Sequence, residues 1–483
     1  MPFLPVVALA RREWLLLLKD PKPRLLLLVV TLLVPLSVYA SVRELRELAK
    51  RTQDVQRSVE IESRKEAVTG GDIEPALRVI RQPTIGTTFA TGSHAHLPLY
   101  WDIGAAGLRY GPPAGSYSAG PSGPRIDLEY LIRVVVGLFA LLLGLDSIGG
   151  ERQNDTLRPL LSQPVSTAAI ILGKCAANGA LLGSVMLWTV TLGYATIAMS
   201  APPAKVPFGM IAGFAILSWT YLMFCFGLGL ACSSVGASIP GAQIVAISLW
   251  LLQSAVSAPL IASAIETLTP LRTRADFEAE LQRVYSRTSR EMSITLGSEL
   301  LARTGRSDWW KFEDEPNEHA RINRELDPLW SEFAQRWAEH MIDREAQWNR
   351  SRQRQDEAVA WASTLSAGLL FNRLAGDLVG TGGRSANLWH QAVVRHQSRV
   401  LEPLVAKRPR LLLRVPEGET RQIYTLVRDK PLLVTEVPPF EPPTRPVSEV
   451  GRADVVRLVG QVCVVAVLAS FGIARLRKTA FEK

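Results

Sequence analysis

Two histidines separated by one residue, His94 and His96, are the candidate metal ligands of this sequence. Alternate side chains of an extended strand point to the same face, so both imidazoles could bind one copper or zinc ion. No third ligand stands nearby in the sequence, and pairs of this kind are also ordinary surface residues. The sequence leaves both interpretations open.

Motifs for ATP hydrolysis and for peptide hydrolysis are missing from the chain. The P-loop pattern G-x-x-x-x-G-K-[ST] does not occur, because Gly173-Lys174 is followed by Cys175. The patterns H-E-x-x-H and G-x-S-x-G do not occur either. We therefore expect a protein that is not an enzyme and binds no cofactor of its own, with a membrane-anchored peptidase as a weak alternative.

A short polar segment between two apolar spans is the feature around which the rest of the chain is arranged. Apolar residues run from Val134 to Leu145, and hydrophobicity resumes at Ala168. Between these spans lies the elbow, residues 149–167, in which the charged side chains are Glu151, Arg152, Asp155 and Arg158. The pattern predicts two membrane helices joined by a structured polar connection.

Within the elbow, residue spacing predicts a short helix that is apolar on one face. Asp155 or Thr156 is the candidate N-cap, because a side-chain oxygen there can accept a hydrogen bond from the first helical turn. The apolar positions and the proline that ends the helix are Leu157, Leu160, Leu161 and Pro164. Such a helix fits the membrane edge or a groove on a soluble partner, and a plain interfacial connector is an equal alternative.

The elbow resembles the signature of ABC-2 permeases, the type 2 membrane subunits of ATP-binding cassette transporters. The signature E-x-x-x-G-T-L-x-x-L-L-x-x-P-V-S-R-x-x-x-x-x-x-K is matched at Glu151, Thr156-Leu157, Leu160-Leu161, Pro164-Val165-Ser166 and Gly173-Lys174. In that family the segment is the cytoplasmic element that docks on a separate ATPase. The resemblance therefore implies a coupling role for Glu151, Asp155, Thr156, Leu157, Leu160, Leu161, Pro164 and Lys174.

Two positions of the elbow differ from the family pattern. Asp155 stands where the family usually has glycine, and Thr167 stands where arginine or lysine is common. The first difference puts the local turn in question, because aspartate adopts positive φ less readily than glycine. The second removes a basic contact.

Composition indicates a mixture of membrane and extramembrane parts. The 483 residues are 47% hydrophobic and 20% charged, with a formal net charge of +9. The basic residues are interspersed with acidic ones, so nucleic-acid binding is not expected. All four cysteines lie in or beside apolar spans, so the polar segments hold no disulfide framework.

Hydropathy predicts an all-α polytopic membrane protein with about six transmembrane helices and two extracytoplasmic insertions, the larger one mainly helical. The predicted spans are 25–42, 129–148, 168–199, 208–231, 237–264 and 453–474. The other predicted parts are an interfacial amphipathic helix over 1–24, an outer lobe over 43–128, the elbow over 149–167, a large outer domain over 265–452 and a tail over 475–483.

Basic residues near the ends of the spans predict the orientation. They concentrate before the first span and after the last one, at Arg11, Arg12, Lys19, Lys22, Arg24, Arg475, Arg477, Lys478 and Lys483. The positive-inside rule then places both termini and the elbow in the cytoplasm of a bacterial cell, and both insertions outside its inner membrane. Arg133 and Arg457 stand near the outer ends of spans, where we expect their side chains to snorkel.

The large outer domain is predicted to contain long helices. Asp327 as N-cap and Pro328 at the first position predict the start of one of them. Its apolar stripe comprises Leu329, Trp330, Phe333, Trp337, Met341 and Trp348. A charged helix over 275–301 is its predicted antiparallel partner. Further along, the turn Gly380-Thr381-Gly382 resembles the branch of ABC-2 permeases that carries a large insert before the last span.

Two functional hypotheses of different classes follow. The resemblance implies a permease half-transporter, of exporter type, that pairs with a second copy or a paralogue in contact with membrane lipid. Its energy would come from ATP bound by a partner ABC ATPase subunit. The alternative is a mechanotransmission or scaffold complex, in which ATP hydrolysis inside moves the outer domains against an envelope protein and no substrate crosses the membrane.

Overall fold

The computed structural model describes most of the chain. The described residues are 4–69, 78–92, 97–104, 107–113, 126–157, 159, 162, 165–200, 206–236, 238–270, 273–305, 316–406, 409–414, 423–428, 439–443 and 452–481. Five of the predicted site residues lie outside these ranges, namely His94, His96, Leu160, Leu161 and Pro164. The predictions made for them stay predictions.

The first half of the chain is dominated by long helices. In order they are α1 (Leu4–Lys19), α2 (Pro21–Thr69), α3 (Leu128–Gln153), α4 (Thr167–Ser200), α5 (Phe208–Val235) and α6 (Ile239–Leu268). Helix boundaries are set by side-chain caps: Asp127 accepts from the Tyr130 N–H at 2.8 Å, and Ser238 accepts from the Gly241 N–H at 3.3 Å. These caps satisfy N–H groups that have no partner within the helix.

The second half adds an extramembrane helical body and a last span. Its helices are α7 (Arg274–Thr304), α8 (Pro316–Ala362), α9 (Ala367–Val379), α10 (Gly383–Ala406) and α11 (Arg452–Phe481). Among the described residues, six helices are long and apolar enough to cross a membrane: α2 to α6 and α11. The predicted all-α polytopic membrane fold with six spans is confirmed.

Short strands occur only as small additions to this helical fold in the part of the chain that is described. An antiparallel sheet is formed by β1 (Arg78–Ile80), β2 (Tyr100–Gly104) and β3 (Gly107–Tyr110), and a hairpin by β4 (Pro409–Arg414) and β5 (Ile423–Arg428). The sheet packs against α10, where the rings of Trp101 and Trp389 stack with centroids 6.2 Å apart. The two insertions that the sequence separates therefore share one core.

Helix α2 carries the first span and continues beyond residue 42 to Thr69, through good helix formers without glycine or proline. The predicted start at Asp327-Pro328 is wrong, because α8 begins at Pro316 and carries Pro328 inside it. Proline is favoured at the first helical position, and Pro316 takes that place. The predicted pairing of the charged helix with α8 is seen: the rings of Phe277 and Trp348 lie 5.8 Å apart.

The main apolar core runs through the membrane helices and includes α9. Phe371 of α9 is fully buried, and its ring stacks on that of Tyr221 in α5 at 4.7 Å between centroids. Such close helix packing requires small residues elsewhere: a Cβ on Gly144 of α3 would lie 2.0 Å from the Phe226 carbonyl of α5. Helix α9 is therefore part of the membrane core, although its sequence position lies in the large insertion.

Candidate functional site

The beginning of the elbow is a tight turn that closes the end of α3. The Asn154 N–H donates to the Gly150 carbonyl at 3.0 Å, and the Thr156 N–H donates to the Glu151 carbonyl at 3.0 Å. Asp155 between them has φ 55°, in the left-handed region. The turn that glycine makes in the family pattern thus forms with aspartate here, at a cost of about 1 kcal/mol relative to glycine.

A buried cation lies at the centre of this end of the membrane core. The Lys174 ammonium group donates to Glu13 Oε1 at 2.8 Å, to Glu151 Oε1 at 2.9 Å and to the Ser147 carbonyl at 2.8 Å. Only 2% of Lys174 is exposed. A buried ammonium group is tolerated when its three N–H donors are taken and its charge is compensated, and both conditions are met here.

The three charged residues belong to three different helices. Glu13 lies on α1, Glu151 on the last turn of α3 and Lys174 near the start of α4. Lys174 also sits at the C-terminal end of α3, where a positive charge is favoured by the helix dipole. The ion cluster Glu13–Glu151–Lys174 therefore fastens α1 and the elbow to the membrane helices.

Gly173 explains why α1 can come so close to α4. A Cβ on this glycine would lie 2.8 Å from the Cβ of Leu9 in α1, which is nearer than carbon atoms approach without displacement. The Gly173-Lys174 pair of the signature thus has two physical roles in this chain. The glycine admits α1, and the lysine binds its carboxylate.

Other contacts gather further helix ends at the same face. Lys22 forms an ion pair with Asp146, which joins the start of α2 to α3. The Arg152 guanidinium donates to the Gly236 carbonyl at 2.8 Å, which joins α3 to the connection between α5 and α6. The elbow, α1 and these helix ends form one polar face of the molecule.

Part of the elbow is buried and part is open to a partner. Leu157 is half-buried and packs against the main core, as does Val165. Asp155, Thr156 and Ser162 are exposed. The side chain of Leu157 therefore packs inside this chain. The surface of the elbow that is left for another protein consists of the polar residues around it.

The comparison with known families fits this arrangement. The family described as "ABC-2 family transporter protein" matches residues 7–286, which is more than half of the 483 residues. The chain belongs to the ABC-2 transporter family. The ABC-2 match begins within α1 and ends within α7, so it includes all three members of the ion cluster. The chain is accordingly a multi-pass membrane protein of that family.

A curated relative gives the same indication over a shorter stretch. The protein "Probable ABC transporter permease protein NosY" of Stutzerimonas stutzeri is 31% identical over 110 residues, which cover 21% of this chain. The chain spans 39% of the length of that relative.

Two charged groups of this ABC-2 chain have positions that the sequence interpretation did not predict. Glu13 belongs to no motif. It is, however, the one acidic residue of α1, where the other residues are mostly basic or apolar. A single acidic residue in such a helix indicates a specific ion-pair partner. Arg133 was expected to snorkel, and that prediction is wrong. Its Nε donates to Glu129 Oε1 at 2.7 Å and its Nη1 donates to the Ser254 carbonyl of α6, so the side chain points into the helix bundle.

Metal binding finds no support among the described residues. They contain no group of three or more histidine, cysteine, aspartate or glutamate side chains that could hold an ion. His94 and His96 lie outside those residues, so the metal hypothesis for them stays a prediction.

Proposed function

We propose that this chain is the permease subunit of an ABC transporter, driven by a separate ATPase subunit that docks on the elbow. The observation that carries the proposal is the ion cluster Glu13–Glu151–Lys174, in which the elbow is joined to α1 and α4 through a buried lysine. Membership of the ABC-2 family supports it, because the matched region contains this face.

The ion cluster couples movement of the elbow to movement of the membrane helices. Separating a buried ion pair by removing one partner costs about 3–5 kcal/mol, so α1, the end of α3 and the start of α4 move together rather than independently. A force on the exposed residues of the elbow is therefore passed to two spans and to α1. We assign ATP binding to the partner, because the P-loop pattern does not occur in this sequence.

The orientation that we propose follows from the charge distribution. The polar face with Lys22, Arg152 and Lys174 lies in the cytoplasm, together with both termini, and the shared outer core of Trp101 and Trp389 lies outside the inner membrane. The outward direction of transport that we propose comes from the family resemblance and not from the orientation. Assembly with a second copy or a paralogue completes the pathway, and membrane lipid covers the exposed apolar side chains of α2 and α11.

A second candidate function is mechanotransmission without a transported substrate. The observation that favours it is the size of the outer body, in which the sheet of β1 to β3 and helix α10 form one core. ATP-driven movement of the spans would then be delivered to an envelope protein. The two functions differ in their need for polar side chains of the spans that are not buried within this chain, such as Gln243 and Ser248 of α6.

The test of the permease proposal is co-purification. We would purify the tagged full-length chain from native membranes in detergent and identify any ABC ATPase subunit by mass spectrometry and by ATP hydrolysis. The variant Thr156→Trp places a bulky side chain on the exposed elbow, and Ser58→Trp places the same side chain on the exposed surface of α2 far from it. The proposal expects an ATPase with the unmodified chain and with Ser58→Trp, and its loss with Thr156→Trp.

An ATPase that is absent from all three preparations, or that stays bound to Thr156→Trp, would refute docking on the elbow. The two functions are then separated in the intact complex. Replacing Gln243 by leucine and Ser248 by alanine should impair a transporter and leave a mechanotransmitter active.

A further inference from the structure

Two membrane helices each contain one π-helical turn, in the half of the bundle away from the elbow. The turns are Leu131–Val136 in α3 and Leu252–Val256 in α6. In a π turn each N–H reaches back five residues instead of four, so one carbonyl is passed over. A passed-over carbonyl inside a membrane needs another donor.

In both turns that donor is a hydroxyl group from outside the turn. In α3 the Gly137 N–H donates to the Ile132 carbonyl, and the passed-over Arg133 carbonyl accepts from the Tyr221 hydroxyl of α5 at 3.2 Å. In α6 the Ser257 N–H donates to the Leu252 carbonyl. The passed-over Gln253 carbonyl accepts from the hydroxyl of Ser366, the N-cap of α9, at 2.8 Å, and from that of Ser257 at 3.0 Å.

Helix α9 is connected to both of these donors. Ser366 caps α9 itself, and Phe371 of α9 stacks on Tyr221. The side chain of Gln253 binds the start of α9, where its Oε1 accepts a hydrogen bond from the Ala367 N–H at 2.8 Å. A Cβ on Gly368 would lie 2.4 Å from the Gln253 carbonyl, so only glycine lets α9 approach this closely.

The two turns are also joined to each other. Arg133, in the turn of α3, donates to the Ser254 carbonyl in the turn of α6. Pro259 has no N–H to return to the Ala255 carbonyl, so the α register of α6 lacks one backbone hydrogen bond at this point. The π registers are thus held by contacts from outside the helices.

We infer that α9 is a latch that holds α3 and α6 in their π registers, and that its release returns both turns to the α register. A one-residue change of register rotates the helix beyond it by about 100°. In α6 that rotation carries Ile265, which is 7% exposed, out of its buried position. This inference goes beyond the proposed function and does not depend on an ATPase.

The test measures the accessibility of position 265 in the purified full-length chain. Cys175, Cys225, Cys232 and Cys463 are first replaced by alanine, and Ile265→Cys is labelled with a membrane-impermeant maleimide. Leu268→Cys, at a position that is 79% exposed, gives the reference rate of a free site. The latch is weakened by Ser366→Ala and by Tyr221→Phe, each of which removes one hydroxyl group and keeps the packing shape.

The inference expects Tyr221→Phe to raise the labelling rate of Ile265→Cys about fivefold, the effect of losing one hydrogen bond, and Ser366→Ala to raise it at least as much, because Ser366 also accepts from the Leu369 N–H. The matched control is Thr189→Val, which removes a buried hydroxyl that bonds an ordinary helical carbonyl, that of Val185 at 2.8 Å. Unchanged rates in both latch variants, or an equal rise in the control, would overturn it.

A deletion separates a change of register from general loosening. Removing Ala255, an exposed residue within the turn of α6, lets an α-helix form there while the flanking segments keep their orientation. In that deletion Ser366→Ala should no longer raise the labelling rate of Ile265→Cys. The same rise with and without the deletion would show that Ser366 only stabilises packing.

Discussion

The ammonium group of Lys174 lies 2.8 Å from the carboxylate of Glu13, although 161 positions of sequence separate the two residues. The same group lies 2.9 Å from Glu151 at the end of α3. Two carboxylates share one buried lysine, so the cluster carries one net negative charge when all three groups are ionised. Loss of the lysine leaves that charge uncompensated.

Replacement of Lys174 by alanine should lower the free energy of unfolding by about 3–5 kcal/mol, because two buried carboxylates lose their cation. The measurement is thermal unfolding of the detergent-solubilised protein, followed by tryptophan fluorescence. The matched control is Lys22→Ala, because the Lys22–Asp146 pair is solvent-exposed and such pairs contribute about 1 kcal/mol or less. Equal losses of unfolding free energy in the two variants would show that the buried lysine contributes no more than an exposed one.

Replacement of Gly173 by alanine should displace α1 from α4 and destabilise the protein by about 1–3 kcal/mol, the usual cost of overpacking. The Cβ would meet Leu9 at 2.8 Å. Gly150→Ala in α3 is the control, because nothing lies within 4 Å of the place that its added methyl group would take, and alanine favours helix by up to about 1 kcal/mol. Protease cleavage within α1 should be faster in Gly173→Ala and unchanged in Gly150→Ala.

Replacement of Asp155 by glycine should stabilise the elbow turn by up to about 1 kcal/mol, because glycine adopts φ 55° without steric cost. Valine at the same position should destabilise it, since a β-branched residue is strongly disfavoured there. The measurement is hydrogen exchange of the Thr156 N–H, which closes the turn on Glu151. Slower exchange with valine than with glycine would show that the left-handed conformation is not required.

The extramembrane body that contains His396 should lose stability as the pH falls below about 6.5. Burial, with a smaller effect of the nearby Arg399 charge, lowers the pKa of His396 below its ordinary value of 6.5. The unfolded chain then binds more protons than the folded one between pH 6.5 and the lower folded pKa, so stability decreases as the pH falls through that interval. The variant His396→Gln should flatten the pH dependence of thermal unfolding over this range. An unchanged slope would exclude His396 as its source.

The membrane fold could be predicted from the sequence because it depends on local properties. Runs of about twenty apolar residues identify spans whatever their neighbours are, and the six predicted spans match α2 to α6 and α11. The position of the elbow follows from the end of one apolar run at Leu145 and the start of the next at Ala168. The start of α8 at Pro316 was missed, because helix ends depend on small differences between neighbouring residues.

The partners of the charged groups could not be predicted, because they depend on how the helices pack. Arg133 reads as a snorkelling residue when only its place near a span end is considered. Its true partner, the Ser254 carbonyl, belongs to α6 and lies 121 positions away in the sequence. The packing of α9 against the membrane helices was likewise hidden, since its 13 residues are too few to be identified as a membrane segment.

Helix α2 is continuous over 49 residues, so a tilt at one end displaces the other end. Such a rod is about 73 Å long, and the 27 residues beyond position 42 make up about 40 Å of it. The N-terminal part of α2 is bonded to the rest of the protein: the Ser37 hydroxyl donates to the Ile126 carbonyl at 2.6 Å. The tip at Thr69 lies about 48 Å beyond Ser37, so a tilt of about 5° there would move it by roughly 4 Å. The helix is therefore a lever arm that amplifies small angular changes in the membrane.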